Sequence, residues 1–480
     1  MNHNRMYIGG KWINSKKDEV IEVINPATEE TFASVPAAQK EDVEAAIDEA
    51  ENSFKSWSSL SSFSRGKYLR KASKIVMNRS REIAELMTRE QGKPVKEAEG
   101  EVKKGANILR YYAEEGERVY GRIVENEAED VESRVIYQPV GVSAAISPWN
   151  YPIELLAWKI GGALAAGCTV VAKLPSDTPL SPLAFIKCLE EAGIPAGVVN
   201  AVTGRGSVTG PVLTGSPVVK KIAFTGSTEV GRSVLKGTVN SFKKVSLELG
   251  GSLPMVITRD CDLDQAVQGA VYRSFRNMGQ ICIAVNRIYV DREIYEQFLN
   301  KFAAETGKLT IGNGLTADCD LGPMCSREGL ATTKSHIDDA VAKGAEVVCG
   351  GKRPGNINSK TGYFFEPTII RDVNHEMLIM KEETFGPAVG VMPHNGIDEA
   401  VELANDTRYG LAAIAYTESL STARRLARDI RAGNVSINNP SPGVINAPYG
   451  GWKDSGFGYE HGPEGLYEYL LIKHIRVKYL

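Results

Sequence analysis

Cys282 stands in the run Phe275-Arg276-Asn277-Met278-Gly279-Gln280-Ile281-Cys282, and Glu248 lies 34 residues upstream in Leu247-Glu248-Leu249-Gly250-Gly251. A thiol can attack a carbonyl carbon, and a carboxylate can take up and return protons. Each sits beside glycines, which let backbone and ligand approach closely. The pairing predicts covalent thiol catalysis.

The chain has seven cysteines: 168, 188, 261, 282, 319, 325 and 349. Cys168 opens the apolar run Cys168-Thr169-Val170-Val171-Ala172, and Cys349 follows Val347-Val348, so both read as core strand residues. An odd number without a CxxC pair or regular spacing indicates neither a disulfide framework nor a structural zinc site, and no metal is expected. A reducing cytoplasm is the expected compartment. The start, Met1 to Tyr7, lacks the apolar core of a signal peptide. The weakly apolar stretch Ile160 to Ala172 is interrupted by Thr169 and is too short to span a bilayer.

At 480 residues, two or three domains are expected. The 59 acidic and 56 basic residues are spread along the chain, and the net charge of −3 provides no broad basic field for nucleic acid or an anionic membrane. A small-molecule substrate fits better.

The elements that must position Cys282 and Glu248 follow from periodicity. The first third reads as helices: Val43, Ile47, Ala50, Phe54 and Trp57 share one face, and Ile75, Ile83, Leu86 and Met87 keep a similar one until Gly92-Lys93-Pro94. Short apolar strands then appear at Val142 to Ile146, Cys168 to Ala172, Val198 to Val202, Lys221 to Phe224 and Val245 to Leu249, with helix-length segments between them. This alternation predicts an α/β fold with a doubly wound, mostly parallel sheet and ligands at the carboxyl ends of its strands. A second alternating region contains Met255 to Ile257, a helix from Asp262 to Phe275, and strands near Arg287 to Val290, Glu346 to Val348 and Leu411 to Tyr416. Two pieces around the acidic stretch Glu125 to Asp130, together with Ile472 to Tyr479, read as edge strands available to a partner subunit.

The run Gly226-Ser227-Thr228-Glu229-Val230-Gly231-Arg232-Ser233 follows a strand and opens a helix. It is like a phosphate-binding loop, but Arg232 occupies the lysine position and no acidic strand end for magnesium accompanies it, which disfavours a nucleotide triphosphatase. A pyrophosphate facing Gly226, Ser227 and the helix amino terminus fits better.

Taken in order, Asn25-Pro26-Ala27-Thr28, Pro148-Trp149-Asn150-Tyr151-Pro152, Phe224-Thr225-Gly226-Ser227-Thr228, Leu247-Glu248-Leu249-Gly250-Gly251, Gly279-Gln280-Ile281-Cys282 and Glu382-Glu383-Thr384-Phe385-Gly386-Pro387 strongly resemble the aldehyde dehydrogenase superfamily. The resemblance covers almost the whole chain. It implies that Cys282 forms a thiohemiacetal and then a thioester, that Glu248 activates water, and that the Asn150 amide and the Cys282 N–H form the oxyanion hole. Read without it, Asn150 is equally a turn residue and Glu248 an exposed strand-end carboxylate.

The resemblance also assigns coenzyme contacts to Trp149, Lys173, Glu383 and Phe385. Where the family often has a glutamate for the adenosine ribose, this chain has Ser176. Serine beside lysine accommodates a 2′-phosphate, so NADP as well as NAD is expected. Succinate-semialdehyde dehydrogenases resemble the chain at Arg276, an arginine that grips a distal carboxylate, but their second arginine falls at Trp158. Arg276 is therefore either half of a clamp or a structural helix-end residue. Tyr151, Trp158 and Trp452 favour an apolar or aromatic substrate if they line the tunnel, whereas Arg276 favours a carboxylated one. In Lys453-Asp454-Ser455-Gly456-Phe457-Gly458-Tyr459-Glu460, tyrosine replaces the family's arginine, and Glu460 is a candidate second carboxylate on the path to the site.

The expectation is NAD(P)-dependent oxidation of a small-molecule aldehyde to an acid. The resemblance implies a coenzyme-binding domain of residues 1–119 and 140–249, a catalytic domain of residues 250–465 and a small β oligomerisation arm of residues 120–139 and 466–480, in a homodimer or homotetramer. A succinate-semialdehyde-specific enzyme, a coenzyme A-acylating enzyme and a catalytically silent member are the alternatives. Glu248 argues against acylation, since acylating relatives typically lack it, and the Cys282, Glu248 and Asn150 set argues against silence.

Overall fold

The computed structural model describes residues 4–355, 357 and 360–479. The first three residues of the amino-terminal stretch read above lie outside that range.

Eight strands form the first sheet, in the spatial order Lys11–Ile13, Met6–Ile8, Val199–Val202, Thr169–Lys173, Val142–Ile146, Val219–Thr225, Lys244–Glu248 and Gly456–Phe457. The five from Val199–Val202 to Lys244–Glu248 are parallel, as expected. They are buried almost throughout, because helices cover both faces of such a sheet. Chain order runs outward on one side of Val142–Ile146 and then resumes on its other side with Val219–Thr225. The direction of winding changes there, and the crevice beyond those carboxyl ends holds Pro148 to Tyr151 on one side and Gly226-Ser227 on the other.

The amino-terminal part differs from the sequence expectation. Four strands, Met6–Ile8, Lys11–Ile13, Val20–Asn25 and Glu30–Pro36, precede the helices. The first two close an edge of the large sheet, and the other two form a separate hairpin. They are short and mostly half-exposed, so little apolar alternation marks them. At the opposite edge Gly456–Phe457, far along the chain, pairs antiparallel with Lys244–Glu248 and brings Ser455 against the Glu248 strand end.

The second sheet has seven strands, in the order Glu346–Cys349, Thr368–Arg371, Ala388–His394, Val285–Asp291, Leu253–Ile257, Ala412–Tyr416 and Asn434–Ile437. All pair in parallel except Glu346–Cys349, an edge strand on which Cys349 is only half-buried, against the expectation of a core position. Cys168 is fully buried, one residue before its strand. A third, three-stranded sheet joins Arg122–Val124, Val131–Pro139 and Leu470–Lys478. Among the described residues, no helix is long and apolar enough to cross a membrane.

Candidate active site

The nucleophile segment has an unusual backbone. Asp262 caps the helix Leu263–Phe275, and after the helix Asn277 and Met278 both adopt left-handed conformations, with φ of 48° and 57°. Two successive non-glycine residues in that region are costly and persist only where the surroundings hold them. Gly279 follows at φ 68°, and a Cβ there would lie 2.2 Å from the Gly386 carbonyl oxygen. The turn is pinned by side-chain amides: Asn277 Oδ1 accepts from Gln91, and Asn150 Nδ2 donates to the Gln280 carbonyl at 2.9 Å. Sharp reversal plus these bonds presents Cys282 to a cleft.

That cleft, of about 150 Å³, is lined by Asn150, Tyr151, Glu154, Glu248, Arg273, Arg276, Cys282, Tyr449 and His461 among others. It brings the expected Cys282, Glu248 and Asn150 together. Although Cys282 is partly open to the cleft, crowding by surrounding atoms desolvates its thiol, and burial followed by the charges of Glu248 and Glu383 pushes it up to about 12. The Tyr449 hydroxyl, buried and without a well-formed hydrogen bond of its own, faces the thiol and favours its ionised form. Glu248 is buried, its Oε1 has no partner, and burial together with Glu460 raises it well above the ordinary carboxylate range. It is a buried carboxyl rather than an exposed strand-end charge.

Beneath Glu248 lies Lys159, fully buried, whose Nζ donates to Glu460 Oε1 at 2.5 Å and to Thr225 Oγ1 at 2.6 Å. Glu460 is thus a buried partner of Lys159, not a lining residue of the cleft. The sequence signal for Lys159 was a charge in the run Leu155 to Ala166, which is otherwise apolar.

Two expected substrate residues are elsewhere. Trp158 is 1% exposed, stacks on His461 at 3.5 Å between ring centroids and meets Tyr112 edge-on, so it buttresses the cleft from behind. Its helix is buried on nearly every face, which leaves this side chain in the core. Trp452 is half-exposed on the short strand Trp452–Lys453 paired with Tyr409–Gly410, away from the cleft. Tyr151 does line it, with its hydroxyl donating to Glu97 at 2.8 Å. Arg276 lines it too, but its Nε is bonded to the same Glu97 oxygen at 2.9 Å.

A larger cleft of about 840 Å³ opens at the winding change and is lined by Trp149, Lys173, Ser176, Gly226 and Ser227. Ser227 caps the helix Thr228–Gly237 by accepting from the Val230 N–H. Burial lowers Lys173 to about 8, and Asp177 beside it opposes that shift. The Ser176 hydroxyl donates to the Gly204 carbonyl at 3.1 Å. A helix amino terminus, an ammonium and a hydroxyl are donors suited to a dinucleotide, so the residues present fit that group. Arg232, by contrast, is paired with Asp454 at 2.7 Å. Glu383 and Phe385 stand between the clefts: Glu383 accepts from the Gly251 N–H at 3.0 Å, and Phe385 meets Trp149 edge-on at 5.4 Å. Burial raises Glu383 to about 7.

The sequence pattern of the aldehyde dehydrogenase family matches residues 12–475. The chain belongs to that family. It is 42% identical over 471 residues to the NADP+-dependent succinate-semialdehyde dehydrogenase GabD of Escherichia coli K12, covering 98% of this chain and 96% of the relative. Glutarate-semialdehyde dehydrogenase of Pseudomonas putida KT2440 is also 42% identical, with the same coverage. A solved betaine aldehyde dehydrogenase of Staphylococcus aureus in complex with NAD+ superposes with a TM-score of 0.96 at 37% identity, over 99% of this chain and 95% of that one. This aldehyde dehydrogenase accordingly oxidises an aldehyde to a carboxylic acid with a nicotinamide dinucleotide.

Proposed function

We propose that Cys282 is the nucleophile, Glu248 the base, and Asn150 with the Cys282 N–H the oxyanion hole. The observation that carries this reading is the convergence of all three on one 150 Å³ cleft beside the dinucleotide-sized one. Cys282 Sγ forms a bond to the aldehyde carbon as its proton passes to ionised Glu248 or to water in the cleft, and the former carbonyl oxygen takes up negative charge beside the Asn150 amide. A dinucleotide held in the neighbouring cleft would supply the hydride acceptor for that carbon, and Cys282 would then carry the acyl group as a thioester. Water then attacks the thioester carbon while Glu248 takes its proton, the C–S bond breaks, and the thiol regains a proton.

In the neighbouring cleft, Trp149, Lys173, Ser176, Gly226 and Ser227 hold the adenosine and pyrophosphate parts, while Glu383 and Phe385 position the nicotinamide end. Ser176 beside Lys173 supports use of NADP as well as NAD. The semialdehyde-oxidising relatives and the size of the cleft support a short aldehyde, succinate semialdehyde foremost. A cavity of roughly 150 Å³ holds a benzene-sized molecule.

The division into a coenzyme part, a catalytic part and an arm is carried in the same proposal. Exposed Ile123 and Ile472 on the three-stranded sheet support assembly into dimers or tetramers through that arm. Seven unpaired cysteines support a cytoplasmic location. The test is reduction of NAD and NADP by the purified enzyme with a panel of short aldehydes, alongside Cys282→Ala. Aldehyde-dependent reduction that vanishes in the variant supports the assignment, and reduction that persists removes it.

A further inference from the structure

Charges around the substrate cleft are balanced with one exception. Lys104 is bonded to Glu154 at 2.5 Å, Glu101 to Lys93 at 2.6 Å, and Arg276 to Glu97 at 2.9 Å. Burial favours the neutral form of Glu248. Arg273, in the last turn of the helix Leu263–Phe275, has no such counterpart among the described residues. It is 3% exposed and lines the cleft; among the described residues its Nε has no hydrogen-bond partner, and its Nη2 donates to the Ser441 hydroxyl at 3.2 Å. The ionisable groups that act on it most strongly are aromatic or cationic, namely Tyr272, Arg276, Tyr151 and Tyr449, and Tyr416 lies near it too. Burial disfavours its charge, yet a guanidinium does not deprotonate in a protein. A buried, unpaired cation on the wall of a small cleft is costly unless an anion arrives to meet it.

We propose that Arg273, with the Ser441 hydroxyl, binds a terminal oxyanion of the aldehyde substrate. This deepens, and rests on, the oxidation of a short aldehyde at Cys282. It moves anion recognition from Arg276, whose Nε is already engaged by Glu97, to a guanidinium that has no carboxylate partner among the described residues. Specificity then arises from pairing on binding: a substrate that ends in a carboxylate or sulfonate completes the ion pair, and one that ends in a methyl leaves the buried cation bare. Ser441 lies on the exposed loop after the strand Asn434–Ile437 and orients one arm of the fork.

The test compares kcat/KM for succinate semialdehyde, 3-sulfopropanal and butanal in the wild type and in Arg273→Met, Arg273→Lys, Arg276→Met and Ser441→Asp. The wild type is expected to prefer one or both anionic substrates, and which of them it prefers identifies the oxyanion. In Arg273→Met the anion-to-butanal ratio should fall about tenfold or more, chiefly through KM. Arg273→Lys, which keeps the charge but not the fork, should restore part of it. Ser441→Asp changes an exposed residue, so it tests the idea even if Arg273→Met does not fold. Its carboxylate should occupy the guanidinium and lower the same ratio. An unchanged ratio in Ser441→Asp, equal losses on all substrates in Arg273→Met, or a collapse confined to Arg276→Met would overturn the proposal. Butanal oxidation as efficient as that of both anions would sink it while leaving the Cys282 reading intact. Failure to oxidise any aldehyde would instead refute that underlying reading.

Discussion

Asn150 donates its side-chain amide to the backbone carbonyl of Gln280 at 2.9 Å, two residues before the nucleophile. One N–H of the amide is thereby fixed, which orients the other and ties the Pro148 to Pro152 segment to the cysteine turn. Asn150→Ala should lower kcat by roughly 10²–10³, the usual cost of losing one oxyanion donor. Steady-state kinetics at saturating aldehyde measure it, and a change confined to KM would make Asn150 a substrate-binding residue only.

Burial and the neighbouring Glu460 raise Glu248 well above the ordinary carboxylate range, so its capacity to accept a proton from water grows as pH rises. Thioester hydrolysis should accordingly accelerate from neutral to alkaline pH in the wild type. Glu248→Gln should give a burst of reduced coenzyme followed by slow turnover without that pH dependence. Stopped-flow traces across pH check both parts, and an unaltered steady-state rate in the variant removes Glu248 as the base.

Lys173 titrates at about 8, with its ammonium present below that pH and lost above it. If it meets the 2′-phosphate of NADP, the NADP/NAD ratio of kcat/KM should decline as pH rises through that region. Ser176→Glu should shift the ratio about tenfold or more toward NAD at fixed pH, because a carboxylate repels the phosphate and accepts hydrogen bonds from free ribose hydroxyls. A ratio indifferent to both changes would place coenzyme selection elsewhere.

Trp158 fills the core behind His461, so Trp158→Ala should destabilise the protein by about 3–5 kcal/mol. Trp452→Ala, on a half-exposed strand, should shift stability by less than about 1 kcal/mol and leave aldehyde KM unaltered. Denaturant titration and substrate kinetics on the two variants separate these roles.

The parallel strands were legible because uninterrupted apolar runs mark strands buried on both faces, and Cys282 and Glu248 drew attention through their neighbouring glycines, whereas the roles of Glu248 and Asn150 came from the family resemblance. What escaped was assembled by pairing across the chain. Tyr449 meets Cys282 from 167 residues away, and Glu460 meets Lys159 from 301 away, with no local periodicity linking either pair. The two tryptophans were misplaced because aromatic character does not reveal which way a helix or short strand faces. Arg273 was within reach: it is a cation in the last turn of the helix Leu263–Phe275, nine residues before the nucleophile.

The most direct test of covalent catalysis by Cys282 is to mix Glu248→Gln enzyme with aldehyde and coenzyme, quench in acid and weigh the peptides. The account predicts one acyl group per subunit on the peptide bearing Cys282, formed in step with the burst of reduced coenzyme. Reduced coenzyme without any acyl group on that peptide, or acylation of a different cysteine, would contradict it.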